Sequence, residues 1–227
     1  MDVGLYISAT GMLAEQVRQD QLTNDLANAS TPGYKQDDAV QSTFGSLLLS
    51  NTATGQTVGS IQTGTTISKV VTDMTPAPMN QTGQPLDFGI AGTGFFAVRT
   101  AQGIRYTRDG QFSADSQGLL VDAQGNEVLS QSGAPIKVGA TGTALGVFNV
   151  PNAAKQGENL FTGTAAGRPS GTVEQGALEG SGVDAVHTMI NMISALRDYQ
   201  SGQQAIQTID ETMGQSASSV GSLGPGG

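Results

Sequence analysis

The chain has 227 residues, with 32 glycines, 5% aromatic and 13% charged residues, and neither cysteine nor tryptophan. A net charge of −9 leaves no basic patch for phosphates, so nucleic acid and anionic membrane surfaces are poor partners. The lack of cysteine excludes disulfides and thiolate metal sites. No run approaches the ~18 to 20 apolar residues of a membrane span, so no membrane insertion is expected. The first residues, MDVGLYISATGMLAEQ, have neither the basic nor the apolar region of a cleavable signal peptide.

Residues 1–33 read as a helix and its stop. Leu5, Ala9, Met12, Leu13, Val17, Leu22 and Leu26 recur mostly at spacings of three and four, which places them on one helical face. Glu15, Arg18, Asp20 and Asn24 lie on the other. Ser30-Thr31-Pro32-Gly33 ends the helix, because the residue before a proline is pushed out of the α region.

The middle, residues 34–180, reads as β structure. Strand-like runs at 95–98, 118–121, 134–138 and 146–150 alternate with turn formers. Asp109-Gly110 reads as a hairpin turn, and Gln117-Gly118 and Gln124-Gly125-Asn126 read as turn formers. Asp115-Ser-Gln-Gly-Leu-Leu-Val followed by Asp122-Ala-Gln-Gly-Asn-Glu-Val reads as a repeated strand–turn unit. Residues 45–75 are expected to be an extended segment, within which the polar Gly/Thr-rich stretch Ser50–Gln62 is a long loop or an assembly-ordered segment.

A second helix is expected over 181–213. Val186, Met189, Ile190, Ile193, Leu196, Tyr199, Ile206, Ile209 and Met213 carry its apolar face, weakened once at Gly202. Residues 214–227, rich in Ser and Gly, are expected to form a flexible tail.

No catalytic, cofactor-binding or metal site is expected. His187 is the only histidine, and a zinc site or general base would want partners it lacks. Asp20, Asp25, Asp37 and Asp38 read as solvated charge, with no aromatic sugar platform beside them. The Asp115–Asn126 stretch lacks the pattern of a calcium loop. An isolated helix with a narrow apolar stripe is marginal in water. The two stripes can pair with each other, with neighbouring copies in a helical filament, or with the β region of the same chain.

Three stretches stand out: Leu26-Ala27-Asn28-Ala29-Ser30-Thr31-Pro32-Gly33-Tyr34-Lys35, Gly92-Thr93-Gly94-Phe95-Phe96-Ala97-Val98 with Tyr106-Thr107-Arg108-Asp109-Gly110-Gln111-Phe112, and Leu178-Glu179-Gly180-Ser181-Gly182-Val183-Asp184 with Met189–Ile193 and Arg197-Asp198-Tyr199. Together they resemble the bacterial flagellar basal-body rod and hook protein family, its FlgF/FlgG-like rod proteins in particular. Asp25 departs from the family's usual Asn, Gly182 from its Asn, and the chain after Val138 is shorter than is usual there.

The resemblance implies an α+β fold. Its N- and C-terminal helices form a coiled-coil-like D0 domain, with a Gly-rich all-β D1 domain between them. It implies a structural subunit of the flagellar rod, polymerising into a hollow helical shaft that transmits torque from motor to hook. The implied partners are copies of itself, other rod and hook proteins, the flagellar type III export apparatus and the P- and L-ring proteins around the rod. The implied location is the flagellar basal body, reached by type III export. Leu5, Met12, Leu13, Val17, Leu22, Leu26, Val186, Met189, Ile190, Ile193, Leu196, Ile206 and Ile209 are then expected at an assembly interface, and Ser30, Thr31, Pro32, Gly33 and Tyr34 at a hinge. A rod-associated peptidoglycan hydrolase and a transient cap or scaffold protein are the alternatives.

Overall fold

The computed structural model describes residues 3–50, 57–139, 145–157, 159–166 and 171–222. Helix α1 (Val3–Ala27) leads into strands β1 (Asp37–Thr43), β2 (Ser46–Ser50), β3 (Thr57–Gln62) and β4 (Thr65–Thr72). Then come β5 (Met79–Gln81), β6 (Phe88–Ala91), β7 (Phe96–Thr100), β8 (Gly103–Thr107), β9 (Ser113–Ala114), β10 (Leu120–Val121) and β11 (Glu127–Leu129). Strands β12 (Ala154–Lys155), β13 (Leu160–Thr162), β14 (Thr172–Gln175) and β15 (Ala177–Glu179) precede helix α2 (Ala185–Ser222). Terminal helices around a β middle make the fold α+β.

The chain divides into two compact units. One comprises Asp25–Asp37 and Thr72–Ala185 and is almost wholly β. Its main sheet has seven strands in the order β12-β13-β8-β7-β11-β10-β9, and β14–β6 and β15–β5 are separate antiparallel pairs. Strand β7 explains how a chain with few aromatics still builds a core. Phe96 and Val98 lie in one buried cluster with Phe88, Phe112, Leu120 and Val128. Phe95 and Ala97 lie in another with Tyr106, Leu129, Val150 and Phe161. Successive side chains of a strand point to opposite faces, so this segment is covered on both.

The sequence repeat is a structural one. Asp115 Oδ1 accepts from the amides of Gln117 and Leu119 at 2.8 Å each, and Asp122 Oδ1 from those of Gln124 and Asn126 at 3.0 and 2.8 Å. Each turn closes on a glycine of positive φ, Gly118 at 74° and Gly125 at 84°, as the aspartate-initiated turn requires. A third copy follows at Ser130–Gly133, where Ser130 Oγ accepts from the Ala134 amide. Asp109-Gly110 is not a hairpin turn: β7 and β8 pair up to Thr100↔Gly103, so their turn lies at Ala101-Gln102. Gly110 is needed instead because a Cβ there would collide with the Phe88 carbonyl.

The other unit comprises Met1–Asn24, Asp38–Val71 and Val186–Gly227. The stretch expected as an extended segment carries strands: β2 and β3 form an antiparallel ribbon, and β1 pairs with β4. Residues 51–56 lie outside the described residues. Threonine-rich runs are good strand formers when a partner strand satisfies their backbone. Tyr6 packs edge-on against Phe44, ring centroids 6.2 Å apart, and Gln41 donates to Glu15 at 2.8 Å, so α1 rests on the strands.

Helix α2 differs in extent from the expected range. The last residue of α1 is Ala27, and 28–33 form turns, because Tyr34 and Thr31 draw the chain back on itself through Tyr34 N→Thr31 O and Thr31 N→Asn28 O. Helix α2 runs on through Gly214 to Ser222 instead of giving way to a tail at 214; residues 223–227 lie outside the described residues. Thr212, Ser216 and Ser218 donate their hydroxyls to carbonyls three or four residues earlier, which satisfies those hydroxyls within the helix. No helix among the described residues is long and apolar enough to cross a membrane.

Candidate assembly interface

Helices α1 and α2 pair in opposite directions. Gly4 lies against Ile209, where a Cβ would come 3.3 Å from Cδ1, and Gly202 lies against Met12, where one would come 2.7 Å from Cγ. The glycine that weakens α2 in isolation is therefore the point where Met12 fits. Ala14 and Leu22 on α1 and Thr188 and Ala195 on α2 are buried. Thr188, Ala195, Gly202 and Ile209 repeat every seven residues, the narrow seam of coiled-coil geometry.

Filling the seam with small residues has a consequence for the large ones. Of the thirteen expected interface residues, Leu22 is buried, and Leu5, Met12, Leu26, Ile206 and Ile209 are half-buried. Leu13, Val17, Val186, Met189, Ile190, Ile193 and Leu196 are exposed, from 46% at Leu196 to 67% at Val186. The last five share one helical face at steps of three and four. An open cleft of about 360 Å³, lined by Leu13, Ala14, Val17, Phe44 and Ile67, continues the apolar surface on the α1 side.

The residues expected to be a hinge fall in the β unit. Ser30 is exposed, Thr31 and Pro32 are half-buried, and Gly33 and Tyr34 are buried. Gly33, at φ 66°, donates its amide to Glu179 O, and Tyr34 O accepts from the Gly182 amide. Ser181 Oγ donates to Asn28 O at 3.0 Å. Beneath this turn Lys35 Nζ meets Glu179 Oε1 at 2.7 Å and Thr75 O at 2.6 Å, while Arg108 meets Glu179 Oε2 at 2.9 Å. All three charged side chains are at most 2% exposed. Burial pushes Lys35 below its usual pKa, and the Glu179 hydrogen bond opposes it. Lys155 closes the other side: its ammonium contacts Asp37 and Lys35 O at 2.8 Å each and lies 3.9 Å from the Tyr34 ring centre.

Two acids expected to be solvated are therefore not. Asp25 is fully buried, accepting the Tyr34 hydroxyl at 2.8 Å. Asp37 is paired with Lys155. Asp20 and Asp38 are exposed, as is His187. Lys35, Arg108, Lys155 and Glu179 were not singled out from the sequence. A lone acid ending the apolar run Ala177-Leu178 was the available signal, since Glu is almost never buried unpaired.

A polar cleft of about 610 Å³ runs past Thr31, Pro32, Asp109, Gln111, Asp122 and Asn159. Burial raises the pKa of Asp109, but its oxygens accept from the Gln111 amide and from Asn159. The Asp122 carboxylate is likewise occupied by its own turn. Among the described residues no group of His, Cys, Asp and Glu could hold a metal ion.

Three family models match the chain. The flagellar basal body rod protein model covers residues 5–35, the flagellar hook protein FlgE/F/G D1 domain 89–160, and the flagellar basal body rod FlgEFG protein C-terminal model 174–219. The chain is 30% identical to the flagellar basal-body rod protein FlgG of Bacillus subtilis, with 92% of this chain and 96% of that one covered. It is 32% identical to FlgG of Agrobacterium fabrum (91% and 95% covered). It is 30% identical to the flagellar basal-body rod protein FlgF of Caulobacter vibrioides (99% and 99% covered). These alignments span 256, 252 and 249 positions against the 227 residues here, so the relatives carry residues that this chain lacks.

Proposed function

This chain belongs to the flagellar basal-body rod protein family and is a structural subunit of the rod, and on that premise we propose that it polymerises through the exposed apolar ridge of α2 and the α1 surface beside it. The observation that carries the reading is the inverted helix pair, with small residues in its seam and Val186, Met189, Ile190, Ile193 and Leu196 outward. Exposed apolar residues at this density gain burial only from other molecules, at about 25 cal/mol per Å² removed from water. A repeated contact between unlike surfaces, with a rotation that does not close, gives a helical filament. The shaft so formed transmits torque from motor to hook by packed contacts of low compliance.

Its partners are copies of itself, neighbouring rod and hook proteins and the P- and L-ring proteins. It reaches the basal body through the flagellar type III export apparatus. Ser30–Tyr34 act as a fixed elbow at the exit of α1, because Gly33 and Tyr34 are held by backbone bonds to Glu179 and Gly182. This reading calls for no hydrolase chemistry, and it is supported by Asp109 and Asp122 of the polar cleft accepting from turn amides and from Asn159.

The test is a pair of substitutions. Ile193→Asp, on the outward face, is expected to abolish polymerisation and motility while the purified subunit keeps its melting temperature. Ala195→Asp, in the seam, is expected to lower that temperature. If Ile193→Asp assembles normally, the ridge is not the interface.

A further inference from the structure

Asp25 occupies an unusual place for a carboxylate. It sits in the last turn of α1, where the helix dipole is negative and a second negative charge is disfavoured. Its side chain is fully buried. Oδ1 accepts the Tyr34 hydroxyl at 2.8 Å, and Oδ2 has no hydrogen-bond partner. The charged groups facing it are Asp37 from β1, which repels an anion, and Lys155 from β12. That lysine is committed elsewhere: it donates to Asp37 Oδ2 and to Lys35 O, and it lies over the Tyr34 ring. The Asp37 backbone amide also favours the anion, but desolvation outweighs both donors, and a carboxylate without a dedicated cation is costly when desolvated.

The same two residues bracket the turn that leaves α1. Asp25 O receives the Asn28 amide, Thr31 N bonds to Asn28 O, and Tyr34 N bonds to Thr31 O, so the side-chain bond from Tyr34 to Asp25 closes a loop already tied through the backbone. The carboxylate is shut off from water while this turn is closed. We propose that Asp25 is a proton-controlled latch: as the neutral acid it keeps the Asn28–Tyr34 turn shut, and its ionisation opens the turn to hydrate the anion.

The sign follows from the burial. Desolvation is the largest influence on Asp25, ahead of the Tyr34 hydroxyl that favours the anion, and it raises the folded-state pKa above the ordinary 3.8. The stabilisation is therefore complete below 3.8 and is lost as pH rises through the higher folded value. The exit of α1 tightens on acidification.

The experiment follows the Asp25 carboxyl carbon by NMR in the full chain, with amide exchange at Asn28, Ala29, Thr31 and Tyr34 in wild type and Asp25→Asn. The expected midpoint lies above 3.8. After correction for intrinsic rates, wild type and variant exchange equally below that midpoint, and the wild type exchanges several-fold faster above it. Tyr34→Phe, which removes the donor, moves the midpoint further up. A midpoint at or below 3.8 overturns the latch, as does an exchange ratio that does not change across the midpoint. A midpoint unmoved by Tyr34→Phe overturns it as well.

Discussion

Lys35 and Glu179, 144 positions apart in the chain, meet at 2.7 Å with both side chains shut off from solvent. Arg108 holds the other Glu179 oxygen, so one anion serves two buried cations. Removing the anion leaves both buried cations without the carboxylate they contact. Glu179→Ala is expected to cost about 3–5 kcal/mol, read from the urea midpoint at unchanged slope. A loss below about 1 kcal/mol, the value of a surface pair, would contradict the burial.

Two glycines of similar conformation should respond differently to alanine. Gly118, at φ 74°, has open space around it, so Gly118→Ala should cost only the left-handed strain, about 1–2 kcal/mol. At Gly33 an added Cβ would also collide with the Arg108 backbone. Gly33→Ala should therefore lose clearly more, measured by thermal unfolding of the two variants side by side. Equal losses would show that the turn yields easily.

The glycines of α2 make a similar contrast. Gly214 has nothing near its added Cβ, and Gly214→Ala should gain about 0.5–1 kcal/mol of helix stability. At Gly202 the Cβ would meet Met12 Cγ at 2.7 Å, and Gly202→Ala should lose about 1–3 kcal/mol to overpacking, less the propensity gain. Helix content followed by circular dichroism during heating distinguishes them. Stabilisation at both positions would rule out the Met12 contact.

Asp73 should shape the acid limb of the stability curve. Its Oδ1 accepts from the Thr75 amide and hydroxyl, each at 2.9 Å, and the backbone bond is the larger cause of its lowered pKa. A depressed folded value means stabilisation present above 3.8 and lost as pH falls through the lower value. Asp73→Asn should flatten the melting temperature in that acid range. Superimposable acid limbs for the two proteins would remove Asp73 from the account.

The terminal helices were legible because three–four periodicity survives in a single sequence. The direction of their burial was not. Periodicity marks Leu13, Val17, Ile190 and Ile193 as one kind of residue with Leu22 and Met12, yet Ala14, Ala195 and Gly202 lie in the seam with Leu22 and Met12, and those four large residues lie outside it. The Asp115 and Asp122 turns were readable from their repeat, whereas the third, at Ser130, was hidden by Ser standing for Asp. Strands β2–β4 fall in the stretch read as extended, because Thr, Gln and Gly blur the period-two signal. The Lys35–Glu179–Arg108 cluster was illegible for another reason: nothing local in sequence joins residues that meet only after the chain has nearly ended.

The helical unit is pieced together from Met1–Asn24, Asp38–Val71 and Val186–Gly227, with the β unit threaded between. No uninterrupted fragment contains it. A nascent chain can therefore close the β unit first, while α1 waits for a mate that leaves the ribosome last. Loop-closure entropy makes such late, distant pairing slow. Any cut that spares the middle but removes the last stretch leaves α1 single, its glycines facing water.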